Sequence, residues 1–197
     1  AASQILANCF LMLAVLSAVL TVASLALRET LLWKFGAGEG TFGYAKEYIT
    51  IYLMGTVFAL MTTGMNQFII CQGFAKIGMK TVILGAVTNI VLDPVFIFGM
   101  HMGVRGAATA TVISQAVSTV WVLSFLTGKK TVLKIRKKYL RMEAGVVLPG
   151  LALGLAPFIM QASESVITVC FNASLHKYGG DVAVGAMTIL SSAMQFS

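Results

Sequence analysis

Uninterrupted apolar runs constrain this chain more than any other feature of its sequence. The first run, residues 7–27, reads ANCFLMLAVLSAVLTVASLAL and contains no charged side chain. A helix needs about 20 apolar residues to cross the hydrocarbon core of a bilayer, and this run is long enough. Five more runs cover about 48–71, 81–100, 106–127, 144–171 and 182 onward. The pattern predicts six membrane-spanning helices.

The composition agrees with that interpretation. The chain is 58% hydrophobic and 11% charged, with a mean hydropathy of +0.89, whereas soluble domains are about 25% charged. We therefore expect an all-α integral membrane protein. Because the chain does not begin with Met and its last apolar run is still continuing at Ser197, we also expect an internal part of a longer chain.

The basic residues are unevenly distributed, which predicts an orientation. The chain start, the turn with Lys76 and Lys80, and the segment 128–143 alternate with connections 28–47, 100–105 and 172–181. The first set carries net charges of +2 at the lysine turn and +6 at 128–143, while the second carries 0, +1 and 0. The positive-inside rule makes the first set cytoplasmic and the first helix outward-running.

The segment 128–143 itself has two interpretations. Its sequence KKTVLKIRKKYLRM places apolar and basic residues on different helix faces, which is typical of a helix lying on the anionic cytoplasmic leaflet. A solvated basic loop is the alternative. The basic surplus is explained by topology, so a nucleic-acid partner is not expected, and the segment forms the natural boundary between two halves.

Several chemistries are not supported by any motif. Cys9, Cys71 and Cys170 lie in apolar runs without metal-ligand or CxxC spacing, so we expect neither a metal site nor a disulfide. No nucleotide-binding loop or hydrolase motif occurs. The chain is not expected to be an enzyme or to need a cofactor.

Three residues stand out in the third apolar run, NIVLDPVFIFG. Asn89 and Asp93 are four residues apart and so share one helix face. Pro94 removes a backbone donor, which predicts a kink and a loosened carbonyl at Ile90. Embedded carboxylates are costly and often mark ion paths. The group could bind a small hard cation or a proton, or it could only hold neighbouring helices together; spacing leaves both open.

A second embedded carboxylate occurs in the other half of the chain. Glu164 lies three residues after Gln161 in PFIMQASESVITVCFN, and the two share a helix face. This pattern suggests a second functional site, or pairing with a residue elsewhere. A stripe of small residues in the fourth run predicts close helix packing; it consists of Gly106, Ala110, Ser114 and Ser118. Thr111 beside it could bond to its own helix or offer its hydroxyl to a site.

The run NIVLDPVFIFGMHMGVRGAATATVISQ resembles the multidrug and toxic compound extrusion (MATE) family. The family pattern there is an Asn, three apolar residues, Asp-Pro, an apolar tail to Gly, and then G-x-x-G-A-A-x-A-T-x-x-S-Q. The segment PFIMQASESVITVCFNASLHKYGGDVAVGAMTI resembles the start of the family's second half. The resemblance is to the bacterial branch related to the DNA-damage-inducible protein F.

The resemblance implies a fold and a domain division. The six helices correspond to the third through eighth of a twelve-helix fold with two lobes around a central cavity. Residues 1–127 belong to the amino-terminal lobe without its first two helices, 128–143 form the cytoplasmic connection, and 144–197 begin the carboxy-terminal lobe. We expect the remaining helices to be supplied by a longer parent chain.

The resemblance also implies a function and site residues. Family members export drugs and organic cations from the cell across the inner (plasma) membrane, driven by H⁺ or Na⁺ entry. Asn89, Asp93, Thr111 and Tyr48 match the family's cation site, and Glu164, with Gln161, matches its second-lobe acid. The family's first-helix Asp has no counterpart here, so this piece alone should not transport. A lipid-linked oligosaccharide flippase of the same superfamily is the alternative, although no Lys or Arg lies mid-helix.

Overall fold

The computed structural model describes residues 2–34, 39–128, 131–133 and 144–194, and in these residues every regular element is helical. The helices are α1 (Ala2–Lys34), α2 (Glu39–Met54), α3 (Thr56–Cys71), α4 (Ala75–Pro94), α5 (Val104–Thr127) and α6 (Ala144–Met194). A π-helical turn, Val95–Gly99, directly follows α4.

The lengths and composition of the helices confirm a multi-pass membrane protein. Four stretches are long and apolar enough to span a bilayer, and α2 with α3 makes a fifth if the bent pair is one span. The four are Ala2–Trp33, Ala75–Gly99, Val104–Thr127 and Val147–Leu175. Most large apolar side chains on these helices are exposed, as expected where lipid replaces water.

The run 48–71 is not the single straight helix that was predicted. It is divided at Gly55, and α2 and α3 meet there at an angle of 51°. A side chain at Gly55 would place its Cβ 2.5 Å from Cγ2 of Val112 on α5. The bend therefore lies where α5 comes too close for any residue larger than glycine.

The connection predicted at 172–181 is present but shorter than expected, since the break lies near its carboxyl end. The helix continues through those residues and its geometry breaks only at Gly180, which has φ 65° and ψ −168°. The residues ASLHK before the break include good helix formers and no proline, so the helix extends to the glycine pair. A short apolar helix, Val182–Ser191, follows the break.

The chain divides into two compact units. One contains Ala1–Ala26 and Glu47–Gly150, and the other contains Leu27–Lys46 and Leu151–Ser197. The predicted division into lobes at 128–143 remains a prediction, because most of that segment lies outside the described residues.

The core of the first unit joins α1, α3 and α5. Its buried apolar side chains come from one end of these helices; they are Leu6, Met61, Met65, Ile69, Val122 and Leu126. Phe74 and Phe125 pack edge to face beside them, with ring centroids 5.3 Å apart. This cluster ties the start of α1 to the ends of α3 and α5.

The small-residue stripe on α5 packs as predicted. Gly106, Ala110, Ser114 and Ser118 are all buried. At Gly106, a Cβ would lie 2.8 Å from the carbonyl carbon of Phe96 and 2.9 Å from its oxygen. Near the other end, the Cβ position of Gly85 is 2.6 Å from the hydroxyl of Ser118. Helix α5 therefore rests on the π-helical turn at one end and on α4 at the other.

Side-chain hydrogen bonds supplement this packing. Thr119 Oγ1 lies 3.0 Å from the carbonyl oxygen of Phe58 on α3 and 2.7 Å from Thr62 Oγ1. Ser118 Oγ donates to the Thr81 carbonyl on α4 at 3.4 Å. In lipid no hydrophobic driving force draws helices together, so such polar contacts and close packing hold the bundle.

Residues assigned by charge to the same side of the membrane lie together. At one end, Arg105 Nη2 lies 2.7 Å from Glu47 Oε1. At the other, Gln72 Oε1 accepts hydrogen bonds from Thr131 Oγ1, Val132 N and Leu133 N at 2.8–3.0 Å. Gln72 thus fastens the segment after α5 to the end of α3.

Replacing Gly106 by Ala should destabilise the first unit by about 1–3 kcal/mol, because the added methyl collides with rigid backbone. Thermal unfolding of the purified full-length protein in detergent measures this. Gly43→Ala is the control: nothing lies within 4 Å of its Cβ position, and alanine is the better helix former. Equal melting temperatures for Gly106→Ala and the wild type would contradict the assigned packing.

Replacing Thr119 by Val should lower stability by about 0.6–1.7 kcal/mol, because its hydroxyl contacts Phe58 and Thr62 on α3 in addition to the Gln115 carbonyl of its own helix. The matched control is Thr127→Val, whose hydroxyl bonds only to Leu123 and Ser124 of its own helix. The same unfolding measurement applies. A Thr127 variant that loses as much stability as the Thr119 variant would show that the cross-helix bond contributes nothing.

Candidate functional site

Asn89 and Asp93 form a direct pair on α4. Asn89 Nδ2 donates to Asp93 Oδ1 at 3.2 Å, and both side chains are half-buried. The four-residue spacing places them one helical turn apart, as the sequence indicates. The Asn89 amide therefore donates a hydrogen bond to the only carboxylate described within α4.

The helix changes type immediately after this pair. Pro94 has no N–H to donate to the carbonyl of Ile90. The next N–H, that of Val95, bonds to Leu92, and Met100 N donates to Val95 O at 2.9 Å in the π-helical pattern. The predicted kink is thus resolved as a π-helical turn, a feature that is frequent at functional sites.

A polar cavity of about 270 Å³ lies beside this pair, between α3, α4 and α5. Its lining is uncharged: it consists of Ala59, Thr62, Thr63, Gly85, Ala86, Asn89, Ser114, Gln115 and Ser118. Asn89 belongs both to the cavity wall and to the pair with Asp93. It is the one predicted site residue among the lining residues.

Gln115 is a candidate site residue that sequence reasoning did not single out. Its Oε1 is buried and has no hydrogen-bond partner within the described ranges, although it lines the cavity. A buried acceptor without a partner is costly, and it is available to a ligand that donates a hydrogen bond. The sequence contained one indication of its position, because Gln115 directly follows Ser114 of the small-residue stripe.

Thr111 and Tyr48, the two other residues predicted for the cation site, make their observed contacts within their own helices. Thr111 Oγ1 donates to the Ala107 carbonyl of its own helix at 2.9 Å, which is one of the two roles the sequence left open. Tyr48 stacks on Tyr52 with ring centroids 5.9 Å apart. In the part of the chain that the structure describes, neither hydrogen-bonds to Asp93.

The second predicted site forms a similar pair in the second unit. Gln161 Nε2 donates to Glu164 Oε2 at 3.2 Å, and the pair is exposed. The nearby hydroxyls of Ser165 and Thr168 donate to carbonyls of their own helix. Both embedded carboxylates are therefore held by an amide on the same helix.

No group of three or more His, Cys, Asp or Glu side chains comes together in the described ranges. The arrangement on α4 offers one carboxylate, one amide and a proline-disrupted backbone. That set is suited to a proton or a small monovalent cation rather than to a transition metal, which prefers clustered nitrogen or sulfur ligands.

Replacing Gln115 by Leu should leave the free energy of unfolding unchanged or raise it by about 1 kcal/mol. The reason is that the substitution removes a buried acceptor that forms no hydrogen bond in the described residues. The matched control is Gln72→Leu, which removes an acceptor of three hydrogen bonds and should lower the melting temperature. Thermal unfolding of the purified full-length protein compares the two. An equal loss in both variants would show that Gln115 is bonded as strongly as Gln72.

Comparison with known proteins agrees with the sequence motif. The family model described as MatE matches residues 1–95. Multidrug export protein MepA of Staphylococcus haemolyticus (strain JCSC1435) is 26% identical over 182 residues, which are 92% of this chain and 40% of that protein. The chain thus spans well under half the length of this curated relative.

Solved structures show the same relationship. The MATE multidrug transporter DinF-BH, solved in complex with a small molecule, is 36% identical, with a TM-score of 0.92 over 98% of this chain and 44% of that one. A MOP superfamily transporter from Pyrococcus furiosus, whose binding pocket is described as reversed in polarity, is 25% identical with a TM-score of 0.86 over 98% and 43%.

These relatives are transporters and not enzymes, as the sequence predicts. The similarity to DinF-BH also agrees with the branch that the motif indicates. The family model covers helices α1–α4, the relative and the solved structure match nearly the whole chain, and the chain belongs to the MATE family.

Proposed function

We propose that the protein containing this chain is a cation-coupled multidrug efflux antiporter. The observation that carries the proposal is the double role of Asn89, which bonds to Asp93 and also lines the polar cavity. A cation bound at the carboxylate and a cargo bound in the cavity would compete for the same amide. The two events are thereby linked through one residue.

The linkage follows from the chemistry of the pair. A proton on Asp93 can be donated to the Asn89 amide oxygen, and a Na⁺ ion at the carboxylate can be coordinated by that oxygen, so either cation would hold the amide at Asp93. Cargo that captures Asn89 in the cavity would remove this ligand and so lower the affinity of Asp93 for the cation. Exchange requires only that cation and cargo favour different states of the same helix. H⁺ and Na⁺ both fit this scheme.

The proposed cargo class rests on the cavity and the relatives. A volume of about 270 Å³ is slightly smaller than the roughly 300–1,000 Å³ of a pocket for a drug-sized ligand. We therefore assign the cavity to one part of a drug or organic cation rather than to the whole molecule. The relatives are a multidrug export protein and a multidrug transporter solved with a bound small molecule.

The lack of Lys and Arg among the lining residues of the cavity favours this cargo over a lipid-linked oligosaccharide. Recognition of pyrophosphate calls for Lys or Arg, and the lining contains neither. The second pair, Gln161 and Glu164, adds a carboxylate rather than a cation. We accordingly do not propose the flippase alternative.

The proposed setting is the inner (plasma) membrane, with segment 128–143 on the cytoplasmic side and facing its anionic leaflet. Residues 129–130 and 134–143 lie outside the described residues, so this assignment rests on the charge pattern. The contacts of Gln72 with residues 131–133 support it by placing the start of the segment at the same end as the turn before α4.

Replacing Asp93 by Asn in the full-length protein should reduce gradient-driven efflux to the level of empty vesicles, because an amide neither releases a proton nor neutralises a cation. Efflux of a fluorescent organic cation from proteoliposomes is measured under an imposed pH gradient and, separately, a Na⁺ gradient. The gradient that drives the wild type identifies the coupling ion.

Glu29→Gln is the matched control, because this carboxylate is exposed and paired with Lys46. It should leave efflux at the wild-type rate, and a melting curve should show that both variants are folded. Wild-type efflux by Asp93→Asn would overturn the assignment of the coupling residue.

A further inference from the structure

A second groove lies on the side of α4 that faces away from the polar cavity. It has a volume of about 290 Å³ and is lined by Lys80, Ile83, Leu84, Val87 and Trp121. The α4 positions recur every three or four residues and therefore form one helix face. Val87 and Asn89 are two residues apart, about 200° around the helix, so the groove and the Asn89–Asp93 pair occupy opposite faces.

The groove is apolar except at one end. Ile83, Val87 and Trp121 are exposed by 49%, 52% and 41%, and Lys80 is the single charged lining residue. Lys76 precedes Lys80 by one helical turn and is also exposed. Neither lysine has a carboxylate within 4 Å in the described part of the chain.

The polar end coincides with one edge of the membrane span. Lys80 lies near the start of α4, and Trp121 lies near the end of α5, so both are close to the same end of the antiparallel pair. Tryptophan is typical of the membrane interface, and a lysine there extends its ammonium toward the headgroups. By the charge pattern this end faces the cytoplasm, where anionic lipids concentrate.

The lining matches the parts of one ligand class. A peptide or sugar would leave its polar groups without partners against Ile83, Leu84 and Val87. An acyl chain has no such groups, and a phosphate beside two ammonium groups is electrostatically favourable. We propose that this groove binds an anionic phospholipid, with its phosphate at Lys80 and Lys76 and an acyl chain between α4 and Trp121.

Such a lipid would contact the helix that carries Asn89 and Asp93 from its opposite face. The proposal does not depend on the cargo or on the coupling ion, since it rests on the groove, the two lysines and the tryptophan alone. It is therefore tested by binding rather than by transport.

Native mass spectrometry of the full-length protein, titrated with phosphatidylglycerol or phosphatidylcholine, measures lipid affinity. The wild type should prefer phosphatidylglycerol, and Lys80→Gln should weaken that binding about fivefold, as expected for loss of one near-surface cation. Val87→Trp should weaken it while keeping the charge, because the indole fills the groove. Equal phosphatidylglycerol affinity in the wild type and both variants would overturn the proposal.

Two controls separate the groove from general effects. Lys177→Gln removes an exposed lysine outside the groove, and Val120→Trp adds an indole at an α5 position that is 64% exposed and does not line it. Both should bind as the wild type does. A loss in these variants equal to that in Lys80→Gln would show nonspecific attraction and refute a defined site.

Acyl contact is tested separately with lipids brominated on their chains. The fluorescence component lost in Trp121→Phe should be quenched more by brominated phosphatidylglycerol than by brominated phosphatidylcholine. Quenching by neither lipid would show that another part of the longer protein covers the groove, and equal quenching by both would show an unselective surface. Either result refutes the proposal.

Discussion

The approach of α5 to its neighbours is the contact on which the first unit depends. Lipid surrounds these helices, so apolar side chains gain little by leaving it for one another. Stability must come from close packing, and the stripe from Gly106 to Ser118 supplies it. The glycine end admits the backbone of Phe96, and the serine end reaches a carbonyl of α4. Bulkier residues along this line would hold the helices apart.

This packing also positions the polar features. The cavity walls on α3, α4 and α5 consist mostly of Ala, Gly, Ser and Thr, and Asn89 and Gln115 are the two larger residues among them. Asn89 lines this cavity and also donates a hydrogen bond to Asp93. Small residues thus allow the helices to pack closely, and they also leave space for a ligand where the helices are farther apart. Structure and site share one set of residues.

Much of this could be predicted from the sequence, for identifiable reasons. Apolar length predicted the spans, because a bilayer imposes a fixed thickness, and four-residue spacing predicted both the Asn89–Asp93 contact and the buried stripe. The bend at Gly55 could not be predicted, since the close approach of Val112 at that point comes from another helix.

The buried Gln115 Oε1 has no hydrogen-bond partner in the described residues. It was missed for the same reason, because a missing hydrogen-bond partner depends on three-dimensional packing. The roles assigned to Thr111 and Tyr48 come from family resemblance alone. Their observed contacts are with their own helices.

The π-helical turn at Val95–Gly99 has a consequence for how this helix tolerates changes in length. A π-helical turn closes over five residues where an α-helical turn closes over four, so it holds a surplus residue behind Pro94. Deleting one residue there would restore α-helical spacing and remove the wide turn, so both the entry to α5 and the Asn89–Asp93 pair would stay in phase. Deleting a residue between Thr81 and Asn89 would rotate the pair relative to the start of its own helix. Helix α4 and the π-helical turn that follows it are therefore under different constraints on insertion and deletion, with the boundary at the proline.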